Sequence, residues 1–151
     1  MSLALLMPVP WEHLADGETV CKREGKVAFG SNAFEILHKF QEGGGVGTHV
    51  LIYSSHEHLP GVPEVTWRAI FLGMAKGEDY SANDLRQFRP ESCWAEDRSG
   101  LGWGCFIELA DLERLADTDS IPVRDIQTRS GKAHAPDFVP RGPTVVTDPW
   151  D

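Results

Sequence analysis

Two stretches decide the fold: Gly47-Thr48-His49-Val50-Leu51-Ile52-Tyr53-Ser54-Ser55 and Val65-Thr66-Trp67-Arg68-Ala69-Ile70-Phe71-Leu72-Gly73-Met74. Each is short, apolar, rich in β-branched or aromatic residues, and bounded by Gly, Pro or polar turn formers. That is the signature of a strand. The segment between them, His56 to Glu64, holds Pro60, Gly61 and Pro63 and reads as a loop. In the second strand Trp67 alternates with Val65, Ala69 and Phe71, which predicts one inward-facing row. The first strand ends in a phenol and two hydroxyls, a place where a polar ligand can rest against an aromatic wall. Tyr53 can equally do no more than span core and solvent.

Working outward, Val27-Ala28-Phe29 carries a weaker strand signal within Cys21 to Phe29. Gly30-Ser31-Asn32 then forms a turn, and Ser31 or Asn32 is placed to cap a helix. Phe34, Ile36, Leu37 and Phe40 follow at helical spacing, so Ala33 to Gln41 reads as a short amphipathic helix ended by Gly43-Gly44-Gly45. Residues 1–18, with Pro8, Pro10 and Gly17, read as irregular. Gly77 to Pro90 is polar, with a helical turn at Asn83 to Phe88. Gly102 to Leu109 reads as a strand, Asp111 to Ala116 as a helical turn, Pro136 to Pro143 as a connection, and Thr144 to Thr147 as an edge strand. No repeat or domain boundary is visible. The chain reads as a single domain over 1–151, its core about 20–147. The fold class is α+β and β-dominated, a small barrel with short flanking helices.

Composition narrows the function classes. The 151 residues are enough for one domain with a proper core, and 15 Gly with 10 Pro favour short elements joined by tight turns. The net charge of −9, from 23 acidic and 14 basic side chains, argues against a broad phosphate-tracking surface while leaving room for a pocket that reads one base. No apolar run approaches the roughly 20 residues that span a bilayer, and Met1 to Met7 lacks a basic leader and a cleavage site. Cys21, Cys93 and Cys105 form no disulfide framework, so a reducing, cytoplasmic setting is expected. Cys105 sits in an apolar run and reads as core packing.

The candidate binding residues are Gly30, Ser31, Asn32, Tyr53, Ser54, Ser55, Trp67, Trp94 and Trp103. Glycine admits close approach, hydroxyl and amide groups suit a base edge, and aromatic rings hold a flat guest. Trp103, flanked by Gly102 and Gly104, is the ring placed as a pocket wall. The same tryptophans can instead plug the end of the sheet, since most tryptophans belong to a core. His56-Glu57-His58 with His49 lacks third and fourth ligands at zinc spacings. No nucleophile elbow and no Walker A sequence is present, and Gly43 to Gly47 reads as a turn. The residues call for no metal or cofactor, and no catalytic set stands out.

The order of elements, with Gly30-Ser31, Gly47 to Ser55, Trp67 to Gly73, Trp103 to Leu109, Leu112, Leu115 and Ile121 to Ile126, resembles the PUA-like superfamily, nearest its EVE and ASCH branches. The resemblance covers roughly residues 27–127. The acidity and the lack of a Tyr-Trp opening in the first strand depart from the EVE pattern. The resemblance implies a small β-barrel with flanking helices. It further implies a pocket beside the barrel, lined by Ser31, Asn32, the Tyr53 strand end and one or two tryptophans, that recognises a nucleobase, modified or not, in nucleic acid or a nucleotide. The competing expectations are a small hydrolase acting on a nucleotide or amide, using His49, His56, Glu57 or Asp97, and an interaction module for a basic partner.

Overall fold

The computed structural model describes residues 2–55, 63–98, 102–135 and 138–151. The two deciding stretches form β3 (His49–Ser55) and β4 (Glu64–Lys76), paired antiparallel. β1 (Leu3–Pro10) lies parallel to β3 and antiparallel to β7 (Thr144–Thr147). On the other side β4 pairs with β5 (Cys105–Arg114), and β5 with β2 (Val27–Ser31). The order is β2-β5-β4-β3-β1-β7, and the short β6 (Ile121–Pro122) pairs with the start of β4. The fold is α+β with one mixed seven-stranded sheet. Its ladders leave β2 and β7 as two ends, so the sheet is not closed, and the expected barrel is met only at the level of this coarser class.

The parallel β1–β3 pair requires a crossover, and α1 (Trp11–Glu24), β2 and α2 (Phe34–Phe40) supply it. The reading of residues 1–18 as irregular is corrected here. Leu3 to Pro10 is a strand whose Ala4, Leu5, Leu6, Met7 and Val9 are buried, and a 14-residue helix follows directly. Pro10 stands at the N-cap, where its missing N–H costs no helical bond. Gly17 lies on the buried face with Leu14, Val20 and Cys21. Glu12 in the first turn and Lys22 and Arg23 in the last complement the helix dipole.

One core cluster joins Leu5, Met7 and Val9 of β1, Val50 and Ile52 of β3, Trp67, Ala69 and Phe71 of β4, and Ile107 and Leu109 of β5 to the inner faces of α1 and α2. A second lies on the opposite side: Ala4, Leu6, Leu51, Val65, Val123, Ile126 and Val146. Val65 therefore leaves the predicted inward row. The register shifts between Ile52 and Tyr53, so that Ile52 faces Trp67 while Tyr53 faces Val65. The extra residue, Thr66, reverses the face beyond it. Two further shifts mark the β4–β5 ladder, one at Gly73 with φ 151°, a backbone angle that favours glycine. The residues from Asp111 continue β5 to Arg114, in place of the predicted helical turn, with Asp111 itself at φ 52° beside the first of these shifts.

α3 (Ala82–Phe88) begins on a capping box: Asp84 N–H donates to Ser81 Oγ, and Ser81 N–H donates to Asp84 Oδ2. A 3₁₀ turn over Glu91–Cys93 leads into α4 (Trp94–Arg98). α2 runs on into a π-helical turn, Gln41–Gly45, before the glycines end it. There Gln41 Oε1 accepts from Met74 N–H at 2.6 Å, tying the turn to β4.

Candidate functional site

The residues Phe29 to Ala33, leaving β2 for α2, form one wall of a cavity of about 630 Å³. The end of β1 and start of α1 add Pro8, Pro10, Glu12 and His13. Arg89, Cys93 and Glu96 come from the α3–α4 region, Trp103 from the segment before β5, and Arg141 to Pro143 from the segment before β7. Five stretches distant in sequence thus converge on it.

Trp103 joins Phe29 as an aromatic residue of its lining. Its ring lies against Gly30 so closely that a Cβ at Gly30 would sit 2.3 Å from indole atoms, where no real contact exists. Asn32 Oδ1 accepts from Gly104 N–H at 2.9 Å, and Gly104 in turn accepts from Gly77 N–H at 2.9 Å. Both bonds hold the backbone at Gly104, next to the ring. The indole nitrogen of Trp103 is buried and has no acceptor among the described residues. Ser31 Oγ accepts from Ala33 N–H at 3.0 Å, and Ala33, with no side-chain cap bond, is the N-cap residue of α2. Neither Ser31 nor Asn32 is therefore the predicted helix cap: one closes a local turn and the other positions the tryptophan segment.

Arg89 is 2% exposed. Its guanidinium forks onto Asp97, Nε to Oδ2 at 3.1 Å and Nη2 to Oδ1 at 2.9 Å, and Nη1 donates to Ala28 O at 3.1 Å. A planar bidentate pair of this kind is specific in geometry and neutral in sum. His13 Nδ1 lies 2.7 Å from Ser92 Oγ. Burial lowers the His13 pKa below its ordinary value; nearby Glu12, Glu96 and Asp16 oppose this, and Arg89 adds to it. The ring is thus neutral at neutral pH. The Cys93 thiol is pushed up to about 11 by burial, so it keeps its proton and offers no thiolate nucleophile.

Of the residues the sequence singled out, Gly30, Ser31, Asn32 and Trp103 meet in this cavity. The others lie outside its lining. Trp67 is buried in the first core cluster, and Tyr53 packs against the second, on the far side of the register shift. Ser54 is buried beside Val9, and Ser55 pairs with Pro10. Trp94 opens α4 with its indole nitrogen buried and without a hydrogen-bond partner among the described residues. Trp11, at the start of α1, is 53% exposed. His56-Glu57-His58 lies outside the described residues, while His49 bonds Asp148 at 2.7 Å. Asp97, one candidate for hydrolysis, is committed to Arg89. The reading of sequence missed His13, Arg89, Cys93, Glu96 and Arg141. Only the Arg89-Pro90 break, next to Trp94, gave a local sign.

A second cavity of about 820 Å³ lies by the Gly43–Gly45 turn, lined by Lys39, Thr48, Thr128, Arg129 and His134 among others. Among the described residues no group of three or more His, Cys, Asp or Glu side chains is placed to hold a metal ion, and no helix is long and apolar enough to cross a membrane. No model of a known protein family matches the chain, and no curated protein matches it.

Proposed function

We propose that the chain is a PUA-like binding module that takes a nucleobase, modified or not, into the cavity beside Gly30 and Trp103. On this reading the bulged β4–β5 ladder curls the sheet toward the barrel of that superfamily. The observation that carries the proposal is the indole of Trp103, seated flush on Gly30 and fixed by the Asn32–Gly104 bond, at the wall of a cavity that also offers hydroxyl, imidazole and carboxylate groups. A preset flat ring stacks on a flat guest at little entropic cost, and each stack contributes about 1–3 kcal/mol.

The charges favour the base over the phosphate. Arg89 is neutralised by Asp97, and the chain carries −9. Binding should therefore depend weakly on salt, unlike that of proteins that track a phosphate backbone. The test is quenching of tryptophan fluorescence by nucleosides and short oligonucleotides, modified and unmodified, at low salt. Quenching that disappears in Trp103→Phe supports the reading. No quenching by any of them overturns it.

A further inference from the structure

His13 lies in the first turn of α1, where β1 passes into the helix, and its half-buried ring lines the cavity. Nδ1 is engaged by Ser92 Oγ at 2.7 Å. Ser92 is itself anchored, because its N–H donates to Asp16 Oδ2 at 3.1 Å, and Asp16 lies on the same helix. The ring is therefore oriented through one nitrogen, and among the described residues no hydrogen bond occupies the other, Nε2. The charged groups that face it are Glu12 and Asp16 of α1, Arg89 after α3 and Glu96 of α4. Burial is the largest influence on its basicity, and it favours the neutral ring.

We infer that His13 Nε2 bonds the edge of the guest base, and that protonation of the ring changes which edge it accepts. This rests on reading the cavity as a nucleobase pocket. The partner at Nδ1 is a hydroxyl, which both donates and accepts. When Ser92 donates to Nδ1, Nε2 carries the proton and bonds a carbonyl. When Ser92 accepts, Nε2 is bare and bonds an exocyclic amino group. The neutral ring thus tolerates both edges. The protonated ring has two N–H donors, so Nε2 can only donate. A carbonyl edge then gains a charge-assisted bond, and an amino edge meets a donor facing a donor.

The test uses the full chain with uridine and cytidine as probes, each titrated by tryptophan quenching from about pH 8 down to the pH at which the ¹⁵N signals of His13 show its ring protonated. The preference for uridine over cytidine should rise about fivefold or more on acidification, which is the scale of one charge-assisted bond. His13→Gln keeps a polar atom near Nε2 and does not titrate, so its preference should stay flat with pH. His13→Phe should weaken both nucleosides by about tenfold, corresponding to one hydrogen bond of about 1.4 kcal/mol. If His13→Phe does not fold, the long-range ¹H–¹⁵N signal of Nε2 in the unaltered protein serves instead, and it should shift on binding. Quenching by both nucleosides with a pH-independent preference and an unmoved Nε2 signal overturns the inference and leaves the pocket standing. Quenching by neither overturns both.

Discussion

The Trp103 ring occupies the space that any side chain at Gly30 would need: a Cβ built on Gly30 comes within 2.4 Å of three indole carbons. Gly30 belongs to β2 and Trp103 to the approach to β5, and the two strands pair so that Gly30 faces Phe106. The glycine is thus the floor on which the cavity's aromatic wall rests. Gly30→Ala should push the ring outward, since backbone and indole cannot interpenetrate. The expected cost is about 1–3 kcal/mol, the range for forced overpacking. Near-UV circular dichroism and a urea melt check this. An unchanged tryptophan spectrum at full stability would contradict the contact.

Arg89 and Asp97 form a buried charge pair at the edge of the cavity. Their side chains are 2% and 7% exposed. Arg89→Met would strand the Asp97 carboxylate in a dry setting, and the loss should be about 3–5 kcal/mol, the usual scale for breaking a buried pair from one side. The double variant Arg89→Met with Asp97→Leu removes both charges, and should recover much of that loss. A urea-denaturation double-mutant cycle gives the coupling. Additive effects would show that the pair contributes no more than its separate members.

Stability should fall on mild acidification through histidine. Desolvation holds His13 below its ordinary 6.5, and His134 is lowered for the same reason. The unfolded chain binds these protons first, so the contribution is complete above that ordinary value and is lost as pH drops through the folded-state values. The melting temperature should therefore decrease between about pH 7 and pH 5, in the window where histidines titrate. His13→Gln should flatten part of the decrease. A slope identical in the variant would remove His13 from the account.

The thiols should be silent in the native state. Cys21, Cys93 and Cys105 are all buried. Burial pushes Cys93 up to about 11 and raises Cys105 as well. A chromogenic disulfide reagent at neutral pH should react slowly, at a rate set by opening of the fold, and should titrate all three thiols at once in denaturant. Fast labelling of the folded protein would show that a thiolate is accessible.

Much of the fold was legible where local pattern and tertiary demand agree. β3, β4, α2 and the edge strand β7 follow from β-branched runs, helical spacing and flanking turn residues. Residues 1–18 mislead because Pro8, Pro10 and Gly17 look like breakers. Pro10 instead sits at a helix boundary that tolerates it, and Gly17 on the helix face turned to the core. Neither position announces itself locally. Within the site, Gly30-Ser31-Asn32 and Trp103 were visible as a turn and a glycine-flanked ring. Tyr53 misled, since alternation along β3 puts it with Leu51 on the face of the second core cluster, away from the cavity.

By itself the sequence determined the class of the chain: an acidic α+β fold with short strands, one core thiol at Cys105 and a small-residue turn beside β2, because composition and periodicity act over a few neighbouring residues. Only the tertiary structure decided the site. His13 meets Ser92 across 79 positions, and Asn32 holds Gly104 across 72. Such pairs are chosen by the order in which strands join the sheet, and no local pattern of residues encodes that order.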